Sequence, residues 1–384
     1  MSRSSTTAVC AAAVTLAAAL ATAAAVRRLR RRLAAAEKSL RAMETSAAFL
    51  PPMPVLPITS DATLRCCREL RLRDTDVFVC SYPKSGTTWM QAIVVNLLTQ
   101  GASPGAGEHI SAFAPFFDVD RTWNHASGEP SGVYTKGGES SGGFGGGRRV
   151  FNTHLRWDQM PRDEGSGARY IYVVRDGKDV VTSFFHHLSN QADSGGFGGT
   201  FEEFFAAWLG GSTPYGRWAD HVKSWLLRSP SSVAAGHVLV VYYEDLLADL
   251  EGQVRRVDAF LRRDLRREDP GHGGSGGSDG AAPSSSSSSS GDGAERRKEE
   301  EEAGRERCLA KVLEQVSFAF MKQHIERYQP LSVGWKPGYQ FIRKGTAGDY
   351  KALLTPEQVQ RYRSALRQSF PADVLSFKPG FLVG

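Results

Sequence analysis

Four short apolar runs constrain this chain more than any other feature. They are "DVFVCSY" (76–82), "RRVFNTH" (148–154), "RYIYVVR" (169–175) and "HVLVVYY" (237–243). Runs of this length, rich in β-branched and aromatic residues, read as strands buried on both faces. The first, third and fourth lead straight into helix-period segments: "TTWMQAIVVNLLTQ", "GKDVVTSFFHHLSNQ" and "EDLLADLEGQVRRVDAFLRR". Strands alternating with helices predict a central parallel sheet flanked by helices in a single α/β domain.

That domain is expected over 66–384, behind a leader at 1–45 and a linker at 46–65 that holds the proline-stiffened "FLPPMPVLP". Two segments break the pattern. The glycine-rich stretch at 135–149 reads as a surface loop. The serine-rich stretch at 271–304 is expected to be a disordered insertion, because it cannot bury enough apolar area to offset its ordering entropy. Its acidic end, "KEEEEAGRER", is a candidate helix leading into "CLAKVLEQVSFAFMKQH".

The net charge of +6 belongs to the leader. Six arginines precede the first acidic residue, Glu37, and the remaining Lys and Arg equal the 41 Asp and Glu. A general nucleic-acid surface is therefore not indicated. An alanine-rich stretch over residues 7–26 is followed at once by "RRLRRR". Two readings stay open for it. One is a membrane anchor whose arginine flank keeps the catalytic part on the cytosolic side. The other is an organelle transit peptide, rich in Ala, Ser and Arg. The five cysteines are odd in number and show no C-x-x-C or Cys/His spacing. They fit a reducing, cytoplasmic setting with no structural metal, and Cys80 reads as a free buried thiol.

Polar residues collect where the strands end. Lys84 and its hydroxyl neighbours follow the first run, His154 closes the second, Arg175 the third and Tyr243 the fourth. In open parallel sheets the ligand crevice lies at that edge. The turn "YPKSGTTW" resembles a phosphate loop, yet lysine precedes glycine, so the G-x-x-x-x-G-K-[ST] order is absent. A helix starting near Thr87 would aim free N–H groups into the same crevice. These features predict a phosphorylated ligand without saying which.

The ordered set "YPKSGTTW", "THL", "YVVRDGKDVVTSFFH", "VVYYEDL", "SFAFM" and "FIRKGTAGDYK" resembles the soluble, cytosolic-type sulfotransferases over about Pro51 to Phe377. The resemblance implies a P-loop NTPase-like sulfotransferase fold. It also implies transfer of a sulfuryl group from 3′-phosphoadenosine 5′-phosphosulfate to the hydroxyl or amine of a small, hydrophobic acceptor, without a metal. Adenosine 3′,5′-bisphosphate is then the product. Lys84 would stabilise the leaving phosphate, and His154 would be the base. Ser85, Gly86, Thr87 and Thr88 would bind the 5′-phosphate. Trp89 and Phe318 would enclose the adenine, with Tyr243 at its edge and Ser317 and Met321 beside the same nucleotide. Arg175, Ser183, Arg343, Lys344 and Gly345 would hold the 3′-phosphate.

The chain departs from that pattern in places. Asn152 stands where many relatives carry lysine, and Val316 where a hydroxyl residue often touches the nucleotide. "KALLTPEQVQ" only partly matches the K-x-x-x-T-V-x-x-x-E dimer motif. Lys178 and Asp179 read as a charge pair at a helix start, and His186 and His187 as residues on a helix face. Acceptor-pocket candidates are the loops at 114–123, 189–199 and 345–350. Three other functions remain alternatives on sequence alone: a secretory-pathway carbohydrate sulfotransferase, a nucleoside-phosphate kinase, and a nucleotide-binding non-enzyme.

Overall fold

The computed structural model describes residues 50–102, 104–131, 148–163, 165–192, 196–227, 236–263, 291–331 and 333–370. The predicted strands form at β1 (Val77–Ser81), β2 (Val150–Thr153), β3 (Arg169–Val174) and β4 (Val238–Tyr242). They pair in the order β2-β1-β3-β4, and every pairing is parallel. All four C-terminal ends therefore share one edge. The pleat of β1 explains its fully buried pattern. Val77 and Val79 pack with Met90, Ile93 and Val94 of the following helix. Phe78, on the opposite face, meets Phe117, Phe151 and Tyr170 with ring centroids 5.2–5.4 Å apart.

The described helices begin with α1 (Asp61–Glu69), whose N-cap is Ser60, and α2 (Thr87–Leu98), which follows β1 directly. After β3 comes α3 (Gly177–Ser189), capped by Asp176. Then come α4 (Phe201–Gly210), started by a Thr200/Glu203 capping box, and α5 (Trp218–Leu226). The single helical run expected after β4 divides into α6 (Tyr243–Ala248) and α7 (Leu250–Arg262). Asp249 causes the break, since its side chain accepts from Gly252 N and caps the second piece. The last three are α8 (Gly291–Gln315), α9 (Phe318–Gln323) and α10 (Pro356–Ser369).

Two boundaries differ from the expectation. The segment read as a linker belongs to the domain, whose compact unit starts at Pro52. Met53 is buried, Tyr215 N donates to Pro54 O (2.6 Å), and Thr59 Oγ1 donates to Asp118 O (2.6 Å). Prolines that stiffen a tether equally pre-extend a strap that packs, and composition alone does not separate the two. The stretch expected to be disordered is helical from Gly291, so 291–304 are part of α8. Charge fixes its outer turns to α7. Arg255 bridges Glu251 (2.8 Å) and Glu306 (2.6 Å), and Asp258 accepts from both Arg262 and Arg305 at 2.7 Å. The leader, most of the glycine-rich loop (132–147) and 264–290 lie outside the described residues. Among the described residues, no helix is long and apolar enough to cross a membrane.

Candidate active site

The turn after β1 is set by its backbone. Lys84 (φ 68°) and Gly86 (φ 106°) both sit in the left-handed region, which reverses the chain between Tyr82 and the start of α2. Only glycine fits at 86, because a Cβ there would lie 2.7 Å from the Tyr243 ring. Lys84 is not glycine, so the turn holds a strained residue at the point where chemistry was expected. Gly86, Thr87 and Thr88 line a cavity of about 830 Å³ at the C-terminal sheet edge. Ser85 does not; its hydroxyl is buried without a hydrogen-bond partner among the described residues.

Apart from Ser317, the other predicted residues line the same cavity from several further elements. His154 follows β2, Arg175 follows β3, Ser183 lies on α3, and Tyr243 opens α6. Trp89, Phe318 and Met321 line it too, as do Arg343, Lys344 and Gly345 from the loop before α10. The Trp89 ring stands edge-on to Tyr243 at 5.6 Å and its Nε1 donates to Val316 O (2.8 Å). Position 316 thus serves the tryptophan through its carbonyl, whatever its side chain. Ser317 is spent on structure, because its side chain accepts from Phe320 N and caps α9.

Arg175 is the hub. Its guanidinium donates to Lys84 O (3.3 Å) and Thr346 O (3.1 Å) and lies over the Tyr243 ring at 4.3 Å. Its Nε is buried with no hydrogen-bond partner among the described residues. Lys84 Nζ lies 3.3 Å from His187 Nδ1 and 4.4 Å from the centre of the Phe341 ring. Burial pushes the lysine down to about 7, and the charges of Arg175 and Arg343 add to the effect.

His154 is oriented through its other nitrogen. Nδ1 lies 2.7 Å from Ser81 O, a carbonyl that can only accept, so Nδ1 carries the proton and Nε2 is left as the acceptor. Burial pushes its pKa down to about 4, with Lys84 adding and the Ser81 contact opposing. The backbone of His154 is held from two sides: its N–H donates to Asp118 Oδ2 (2.8 Å), and its carbonyl accepts from His221 Nε2 (2.9 Å). Thr153 Oγ1 also donates to Asp118. Burial raises the Asp118 carboxyl to about 7, against those hydrogen bonds. Asn152 faces the cavity, but its Nδ2 donates to Ala114 O at 2.8 Å.

Several participants were not anticipated. His187 was read as an ordinary helix-face residue, yet it lines the cavity, where burial first and then Lys84 and His154 drive its pKa well below 6.5. Its signal was available: it lies four residues after Ser183, one helical turn along the same face of α3. The strap residues Val55, Leu56 and Ile58 form a wall, as do Tyr215 and Leu331. Lys178 and Asp179 have separate partners at the start of α3. Lys178 Nζ binds Asp176 (3.1 Å), while Asp179 accepts backbone N–H groups from Gly348 (2.7 Å) and Tyr350 (3.0 Å). "TPEQ" in the partial dimer motif is a helix start: Thr355 and Gln358 form a capping box on α10.

A parallel sheet with an anion-binding turn at its first βα junction, facing basic residues on later strands, defines a nucleotide-binding α/β protein of P-loop-like type. The comparisons narrow this. Residues 74–272, just over half of the chain, match the sulfotransferase domain family. Mouse sulfotransferase 1B1 is 26% identical over 315 residues, covering 80% of this chain and 87% of the relative. Human sulfotransferase 1C2 is 25% identical over 317 residues, covering 81% and 88%. Mouse sulfotransferase SULT7A1, solved in complex with PAP, superposes with a TM-score of 0.55 at 21% identity, covering 83% of this chain and 92% of that one. Retinol dehydratase, solved with androsterone and inactive cofactor PAP, gives 0.56 at 19% identity, covering 82% and 88%. The chain belongs to the sulfotransferase family. It is a sulfotransferase that depends on 3′-phosphoadenosine 5′-phosphosulfate.

Proposed function

We propose that this cavity transfers a sulfuryl group from the phosphosulfate donor to the hydroxyl of a small apolar acceptor, with Lys84 and His154 as the catalytic pair. The observation that carries the reading is convergence. Lys84, His154, Arg175, Arg343 and Lys344 come from distant segments and line one cavity of about 830 Å³. The residues fit a bisphosphorylated nucleotide. Gly86 and Gly345 let the Tyr243 and Phe318 rings pack against the loop backbones at the cavity wall, and Arg175 Nε is a buried donor without a hydrogen-bond partner among the described residues. The aromatic pair Trp89 and Phe318 offers faces to a base.

The donor supplies a sulfuryl group already activated on a phosphate leaving group; the chain supplies position and charge. Lys84 holds an ammonium where negative charge grows on the departing oxygen, and burial makes that charge count for more than it would in water. His154 takes the acceptor's proton at Nε2, since Nδ1 is committed to Ser81 O. Arg175, Arg343 and Lys344 grip the second phosphate at the far end. Phe116 and Tyr215 pack edge-on to the His154 ring, at 5.3 and 5.2 Å, and exclude water from the base.

An apolar acceptor is supported by Val55, Leu56, Ile58, Phe116, Tyr215 and Leu331 in the cavity lining, two of which, Phe116 and Tyr215, pack on the His154 ring. Androsterone bound to retinol dehydratase, a protein of the same fold, fits that lining in kind. The test is a screen of phenols, sterols and other hydroxylated apolar molecules with labelled donor. Turnover that requires both Lys84 and His154 supports the reading. Turnover unchanged in Lys84→Ala and His154→Ala sinks it.

A further inference from the structure

We propose that Asp349 is an internal stand-in for the nucleotide's 3′-phosphate and speeds release of the bisphosphate product. The inference rests on the donor-site reading above. Without an anion, Lys84, Arg175, Arg343 and Lys344 would face one another across a partly desolvated cavity, an arrangement that like-charge repulsion disfavours. Arg343 and Lys344 escape this by pairing with the two oxygens of Asp349, which itself lines the cavity. The two bonds lower the Asp349 pKa against the opposing effect of burial, so the carboxylate is charged at neutral pH.

The loop is built to allow this return. Asp349 lies five residues after Lys344 and six after Arg343, and Gly345 (φ 64°) and Gly348 (φ 83°) bend the chain back on itself. Asp179 fixes the base of the loop by accepting from Gly348 N and Tyr350 N, on both sides of Asp349. The carboxylate is thus tethered next to the cations whether or not they hold it. A phosphate carrying about two charges outcompetes a carboxylate carrying one. As the phosphate departs, Asp349 takes its place, so the cations never pass through an unpaired state. A nucleotide lacking the 3′-phosphate asks nothing of Arg343 and Lys344 and leaves the pair intact.

Titration calorimetry and stopped-flow displacement test this on the full chain, with adenosine 3′,5′-bisphosphate and adenosine 5′-phosphate as probes. Asp349→Asn is expected to bind the bisphosphate about tenfold tighter or more, through a slower dissociation rate, because one charge-assisted competitor is gone. Affinity for the 5′-phosphate should stay within about twofold, since that ligand does not meet the loop cations. Asp349→Glu, which keeps the charge, should stay near wild type, and adding Arg343→Ala should erase the gain from Asp349→Asn. Weaker or unchanged bisphosphate binding by a variant with normal melting overturns the inference: Asp349 would then merely orient the cations. A variant that melts early is judged by the Arg343→Ala pair, where an undiminished gain also overturns it. The donor-site reading fails separately, and takes the inference with it, if the wild type binds both nucleotides equally.

Discussion

At the β1 turn, taken as the inner end of the cavity, Lys84 lies partly buried against His187 and the Phe341 ring, and His154 in the same lining has its Nδ1 committed to Ser81 O. On the loop after Ile342, taken as the outer end, Arg343 and Lys344 have 32% and 50% of their side chains exposed and pair with a carboxylate. The difference teaches what each end can do. Burial at the inner end lowers both pKa values, leaving Lys84 at about 7, poised between charged and neutral, and holding His154 neutral with Nε2 open as an acceptor. Exposure and pairing at the outer end leave its cations exchangeable between carboxylate and ligand, which suits binding rather than proton transfer.

The largest effects should come from the inner end. Lys84→Ala and His154→Ala are each expected to cut kcat by roughly 10²–10⁴, the usual worth of a positioned acid–base or charge-stabilising group. Affinity for adenosine 3′,5′-bisphosphate in His154→Ala should change little. Steady-state kinetics with calorimetry checks both. A His154→Ala enzyme that loses donor affinity but keeps kcat would erase the distinction between the two ends.

The pH profile sharpens the same contrast. His154 must be neutral to accept a proton, so kcat/KM should rise as pH climbs through about 4. Lys84 must be charged, so in the free enzyme kcat/KM should fall as pH climbs through about 7. An anion beside Lys84 favours its charged form, so the alkaline limb of kcat should lie higher than that of kcat/KM. Coincident alkaline limbs would mean that Lys84 does not face the donor.

Binding effects at Arg175 and at the outer end come next. Arg175→Ala should weaken bisphosphate binding by roughly 2–4 kcal/mol, because its guanidinium is buried and already oriented. Arg343→Ala should cost roughly 1–2 kcal/mol, less because it is more exposed and exchanges its carboxylate for the ligand. Equal losses would say that exposure does not set the ranking.

Much of this was legible in the sequence, and the reason is local. Strands buried on both faces need unbroken apolar runs, so all four were marked, each ending within two residues of its observed limit. Lys84, His154, Arg175 and Tyr243 follow those runs directly, so topology alone carried them to one edge. What was missed depends on contacts that no local pattern records. The strap at 54–58 reads as a tether until Tyr215 N is seen on Pro54 O. Asp179 reads as a helix-start charge until its carboxylate is found on a loop 169 and 171 residues away. His187 lay between these cases: its turn of α3 was predictable, but the nearness of Lys84 was not.

Asn152 gives the smallest expected effect and the closest test of where the inner end stops. The resemblance set it apart because many relatives carry lysine there, so a contact between its amide and the reacting group is worth testing. Its geometry argues otherwise. Nδ2 donates to Ala114 O at 2.8 Å, while the backbone of the same residue ties the 114–117 loop to β2 through Pro115 O and Phe117 N. The amide keeps a second N–H, but its plane is tied to the loop carbonyl, and one neutral N–H stabilises an anionic transferring group far less than a lysine's charge would. Asn152→Ala should therefore cost about 1 kcal/mol of stability, from one lost hydrogen bond, and change kcat less than about fivefold. Thermal melts and single-turnover rates separate the two. A rate loss near that of Lys84→Ala, with the melting temperature intact, would move Asn152 from the scaffold into the chemistry.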